Sequence, residues 1–196
     1  MRARAVSGAD GNGSPAWDFL KRLTARHERS VDHASNIKAG IAAIMGMLAV
    51  GYLAHITGQP LLLAPLGSTS VLLFAQPSSP LAQPVNVMMG FLVGAIVCEA
   101  VFYILPGTWL AAAVSVGLAI ILMRALRVTH PPAGALPIMA FGQGLHGVQL
   151  FAIVFVGCTM LVVLALVVHR IPPRREYPLK AGPASTLQEP GPILAE

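Results

Sequence analysis

Two short strings hold most of the residues in this sequence that are able to do chemistry. The first sets Pro65 and Gly67 beside three consecutive hydroxyls, Ser68, Thr69 and Ser70. The second sets Thr129 and His130 beside Pro131, Pro132 and Gly134. Proline pushes the residue before it out of the α region, so an extended approach to Gly67 and to Gly134 is expected. A helix is expected beyond each glycine, with Pro137 tolerated in its first turn. A helix start carries unpaired N–H groups and about half a positive charge. Two such starts pointing at each other, with the Ser68, Thr69 and Ser70 hydroxyls between them and Thr129 and His130 near the inner mouth, make an anion-binding arrangement without a buried Lys or Arg. The plainer reading is a pair of loops that dip in and pack the core, their hydroxyls bonded to nearby carbonyls. Two broken segments in corresponding places of two halves favour the site.

Other reactive side chains are sparse. Glu99 is the single Asp, Glu, Lys or Arg between residues 39 and 123, and it is a candidate for proton coupling or for pairing with a neighbouring helix. His55, His146 and His169 fall near expected membrane boundaries, where interfacial anchoring is the simplest role. Cys98 and Cys158 lie in apolar runs without metal-ligand or CxxC spacing. No nucleophile–base pair or metal-ligand cluster is legible, so no enzyme, metal or cofactor is expected.

The elements that must position these strings are built for hydrocarbon. Of 196 residues 11% are charged and 55% hydrophobic, and the mean hydropathy is +0.70. Those values exclude an ordinary soluble domain. The formal net charge of +5 reads as a topology signal, not a nucleic-acid patch. Four runs, 38–57, 86–105, 109–126 and 148–168, approach the roughly 20 residues that cross about 30 Å of hydrocarbon. Between them, 61–76 and 129–142 are apolar but broken by Pro and Gly, and each either crosses or re-enters. If both cross, the amino terminus, Arg124 with Arg127, and Arg170, Arg174 and Arg175 share one side, while the loops around Gly58, Gly107 and Gly144 have no Lys or Arg. Six crossings split into three plus three, and a repeat with an odd number of spans must be inverted relative to its copy. Pro65, Gly67 and Phe74 match Pro132, Gly134 and Phe141 at one offset. The fold class is thus an all-α polytopic membrane protein of four long helices and two broken or re-entrant segments. Residues 1–37 form an amino-terminal segment, 38–170 the transmembrane domain and 171–196 a disordered tail, with both termini cytoplasmic at a bacterial inner membrane. Ser14, Pro15, Trp17, Leu20 and Leu23, with Lys21, Arg22, Arg26 and Arg29 around them, allow a helix on the membrane surface.

The string Thr-His-Pro-Pro-Ala-Gly-Ala at 129–135 resembles the signature of the HPP family of integral membrane proteins. Residues 67–74 followed by 79–84 are similar to that family's other broken segment, and the resemblance covers about 38–168. It implies four long spans with short apolar segments between them. Some plant plastid and cyanobacterial members are implicated in nitrite transport, so the resemblance implies passage of nitrite or a similar small anion. Val85 stands where members often carry Arg or Trp, and Phe91 replaces a commonly polar residue. The function expected is a transporter or channel for a small inorganic anion; a membrane-embedded ligand sensor or assembly subunit is the alternative. The expected partners are that anion and the lipid bilayer, with homo-oligomers left open.

Overall fold

The computed structural model describes residues 14–26, 31–105 and 107–180. Among them the chain is all helical, with seven α-helices and no strand. The first, α1 (Pro15–Thr24), forms a unit of its own. Ser14 caps it by accepting from Trp17 N. Ala16, Phe19, Leu20 and Leu23 share one face, flanked by Trp17, while Asp18, Lys21 and Arg22 occupy the other, the 3.6-residue pattern of an amphipathic helix.

The second unit contains α2 (His33–Thr57), α3 (Ala64–Ser70), α4 (Pro84–Ile104), α5 (Trp109–Ala125), α6 (Leu136–Gln143) and α7 (Gly147–Val168). α3 runs on into a wide π turn, Val71–Ala75, and 3-10 turns occupy Pro80–Ala82 and Pro131–Ala135. α2 starts at His33, earlier than expected, because Asp32 accepts a capping bond from Ser35 N at 3.0 Å. α2, α4 and α7 are long and apolar enough to cross a membrane. α5, with 17 residues, is shorter than the other three, about 25 Å at 1.5 Å per residue.

Hydrogen bonds and ring contacts at the two ends show how the chain runs. At the near end, Lys38 of α2 donates to Ile171 O just past α7, Leu73 O accepts from His169, and Asn86 of α4 donates to Thr129 O. At the far end, Gln149 of α7 donates to Gln59 just past α2, Gly147 N donates to Glu99 of α4, and Phe102 lies 6.0 Å from Phe141. Segments 59–75 and 130–143 therefore each traverse the full depth, as do α2, α4, α5 and α7, making six traverses of alternating direction.

The interior is apolar and close-packed, with Leu63, Leu66, Phe91, Leu136 and Leu161 almost wholly buried. The outside is apolar as well: Ile41, Ile44, Leu48, Ile121, Phe155 and Val163 are exposed. A surface of that kind fits a hydrocarbon solvent and is foreign to water.

The stretch expected to be a disordered tail begins with an ordered strap. Lys38 Nζ donates to Ile171 O at 2.7 Å and to Pro173 O at 2.8 Å, and buried Tyr177 donates to Ala82 O at 3.0 Å. Residues 181–196 of that tail and Arg29 lie outside the described residues.

Candidate functional site

The two interrupted segments start their helical parts at equivalent places. Leu63 (φ −91°, ψ 137°) and His130 (φ −135°, ψ 101°) are the extended residues that precede α3 and the Pro131–Ala135 turn, and they stand at the offset that relates Pro65 to Pro132. The expected start beyond Gly67 is corrected here: α3 begins at Ala64, because proline fits a first turn and Pro65 takes that place. In the second segment the 3-10 turn likewise begins before Gly134, at Pro131, and the α-helix follows at Leu136 with Pro137 in its first turn, as expected.

The free N–H donors expected at these starts are few. Pro65, Pro131 and Pro132 have none. Leu63 O accepts from Leu66 N and Gly67 N, and His130 O accepts from Ala133 N. Nor do the two starts meet head to head, since the start of the second segment meets α3 in its body, at Thr69.

That meeting is a buried polar node. His130 and Thr69 are both 0% exposed. His130 Nδ1 lies 2.9 Å from Leu81 O, and His130 Nε2 lies 3.0 Å from Thr69 Oγ1, which is itself 2.9 Å from Pro65 O. A carbonyl only accepts, so Nδ1 carries a proton. In the neutral ring Nε2 accepts from the Thr69 hydroxyl. In the imidazolium Nε2 donates to Thr69 Oγ1, and that hydroxyl turns to Pro65 O. Rotation of one O–H keeps the node bonded in both protonation states. The Phe91 ring, 5.3 Å from the imidazole, closes one side with an apolar wall.

Glycines seat the segments. A Cβ on Gly90 of α4 would lie 2.6 Å from His130 Cβ, and one on Gly94 would lie 3.2 Å from Ala133 O. On α7, a Cβ at Gly157 would lie 2.4 Å from Leu66 Cδ1. Gly94 and Gly157 hold the same position counted from the starts of α4 and α7, and Leu66 and Ala133 are equivalent under the Pro65–Pro132 offset. α4 therefore receives the second interrupted segment, and α7 receives the first.

Of the residues singled out from sequence, Thr69 and His130 come together, with Pro65 and Pro132 buried beside them. Thr129 is half-buried and offers its carbonyl to Asn86. Ser70 is turned back, donating to Leu66 O at 3.1 Å, with Met47 Sδ at 3.6 Å. Ser68 and Pro131 are exposed. Gly67 and Gly134 are half-buried, and a Cβ on either would meet nothing within 4 Å, so neither packs tightly against protein. Glu99 lies elsewhere, nine residues or about 13 Å along α4 from Gly90, accepting from the first N–H of α7. Leu81 and Gly90 were not singled out as site residues. A glycine inside an apolar span reads only as a small surface for helix packing, and a carbonyl partner such as Leu81 O carries no side-chain signal.

A polytopic helical bundle with two interrupted traverses around a buried Thr–His node defines a class of membrane protein. The chain belongs to the HPP family, whose transmembrane region matches residues 28–178. A transmembrane protein of Dictyostelium discoideum is 31% identical over 150 residues, covering 72% of this chain and 53% of that protein. A second transmembrane protein of that organism is 35% identical over 126 residues, covering 60% of this chain and 40% of its own. The chain thus spans about half the length of the relatives it matches. No solved structure matches it.

Proposed function

We propose that the chain is a transporter or channel for a small inorganic anion, nitrite being the first candidate from the family resemblance. In this reading the six traverses are six membrane crossings in two inverted halves. The positive ends then lie at the cytoplasmic face of a bacterial inner membrane. The observation that carries the reading is the reciprocal seating of two interrupted segments around the Thr69–His130 node. Broken segments inside a bundle place irregular backbone at membrane depth, where it is tolerated if buried in protein or lining a cavity or path. α1, with one wide apolar face and Lys21 and Arg22 opposite, has the form of a helix lying on an anionic leaflet.

His130 supplies the chemistry that the backbone donors lack. Among the described residues an imidazolium there has no carboxylate paired with it, since Glu99 is engaged at the far end of α4. A permeating anion is its natural counter-ion, so anion and proton enter the node together, and the anion takes the Nε2–H and Thr69 O–H donors by displacing their bonds to Thr69 Oγ1 and Pro65 O. A singly charged, compact anion matches that one charge.

The test is flux in proteoliposomes, with empty liposomes run at every pH because nitrous acid crosses lipid unaided. Nitrite entry should exceed that of sulfate and phosphate, Na+ and K+ should be excluded, and an inward proton gradient should accelerate it. His130→Ala and Thr69→Val should each abolish the acceleration. If purified protein adds no anion flux under any gradient, the transport reading fails and binding without passage takes its place.

A further inference from the structure

We propose that the strap of residues 171–180 is a latch that holds the inner mouth shut by immobilising the turn to which His130 is bonded. The proposal deepens the transport reading and rests on it for the word mouth.

The juxtaposition is specific. Pro80–Ala82 is a single 3-10 turn. On one side of it, Leu81 O binds His130 Nδ1; one residue further on, Ala82 O accepts from the Tyr177 hydroxyl at 3.0 Å. The next residue, Gln83, continues the contact: its Oε1 accepts from Leu179 N at 2.8 Å, and its Nε2 donates to Pro77 O and Ser79 O, tying the loop before the turn to the strap. Three successive residues thus connect the strap to the ring that meets Thr69, so displacing the strap frees the turn that orients His130.

The anchors are of a kind that can release. Lys38 holds Ile171 O and Pro173 O, and Arg175 Nη2 reaches Ser35 Oγ at 3.0 Å and Asp32 Oδ1 at 3.4 Å. Arg175 and Asp32 are exposed and Ser35 is half-buried, and such pairs at a water boundary hold weakly. The buried anchor is imperfect too. His169, 3% exposed, donates from Nε2 to Leu73 O at 2.7 Å and lies 5.2 Å from the Tyr177 ring, but its Nδ1 is buried with no partner among the described residues. Opening would return that acceptor to water, offsetting part of what the lost contacts contribute.

The experiment compares the full chain with Tyr177→Phe, which removes one O–H and keeps the ring, with Lys38→Met, which removes two bonds and keeps the stem, and with the double variant that carries both changes. Amide hydrogen exchange in lipid nanodiscs reads the latch without reference to transport, and the middles of α4 and α7 serve as the folding control. Exchange across 77–83 should quicken about tenfold in the double variant while the controls hold. Anion flux in proteoliposomes should rise severalfold in the same variant. Unchanged exchange across 77–83 overturns the latch, and so does faster exchange with wild-type flux present but unaltered. Faster exchange with no flux in any protein, wild type included, supports the lock on the turn and overturns the transport reading alone.

Discussion

Replacing Gly90 by alanine is the sharpest perturbation the fold offers. The added methyl would stand 2.6 Å from His130 Cβ, 3.2 Å from Val128 O and 3.5 Å from His130 N. Carbon atoms rest at about 3.5–4.0 Å, so the 128–130 backbone must retreat by about 1 Å. His130 reaches Leu81 O at 2.9 Å and Thr69 Oγ1 at 3.0 Å, and a displacement of that size carries at least one bond past useful length. Overpacking costs about 1–3 kcal/mol, an unmade buried hydrogen bond about 1–3 more, and the better helix propensity of alanine returns up to about 1. The net destabilisation is about 1–6 kcal/mol. On the scale of soluble domains of this size, that lowers the melting temperature by about 2–24 °C. Gly67→Ala is the matched control, because its Cβ meets nothing within 4 Å, and it should leave stability level or slightly raised. Gly157→Ala should fall between them, since the atom in its way is a terminal methyl of Leu66, which can turn. The assay is thermal unfolding of purified protein in detergent, followed by tryptophan fluorescence and by retention of monodispersity. A Gly90→Ala protein as stable as its parent would refute the argument that α4 seats the His130 segment through that glycine.

Two further outcomes are expected. Glu99→Ala should lower stability by about 1–3 kcal/mol by stripping the acceptor from Gly147 N, whereas Glu99→Gln keeps an oxygen there and should cost less; a Gln variant of unaltered stability that loses pH-gradient coupling would show that Glu99 carries protons instead. In a background with Cys98 and Cys158 replaced by alanine, Gln143→Cys should react with an impermeant thiol reagent from outside and Ser78→Cys only from the cytoplasm; labelling of both from one face would sink the six-crossing arrangement.

The long helices were legible because each is a continuous apolar run, and the interrupted segments because Pro65, Pro131 and Pro132 cannot sit in a helix interior. Their internal structure was less so. Proline is as much at home inside a first turn as before one, so Ala64-Pro65 did not tell where α3 begins. His130 was readable as a site residue from its place beside two prolines, yet its partner Leu81 contributes a carbonyl, which every residue possesses. The hydroxyls of Ser68, Thr69 and Ser70 looked alike in sequence, and only the helical turn separates one that faces outward, one that meets His130 and one that folds back on Leu66. The strap escaped notice because its composition is that of a solvated tail, while Tyr177 finds Ala82, 95 residues earlier in the chain.

The crossed seating also constrains how this molecule is made. Leu66 belongs to the second traverse, but its berth at Gly157 belongs to the sixth, so a ribosome delivers the guest long before the host. Until α7 emerges, segment 59–75 has α2 to pack against but lacks the berth for Leu66. Its seating is therefore completed only when the last helix arrives. A ribosome stalled before α7 would hold an intermediate whose first half remains open to proteases and to thiol reagents.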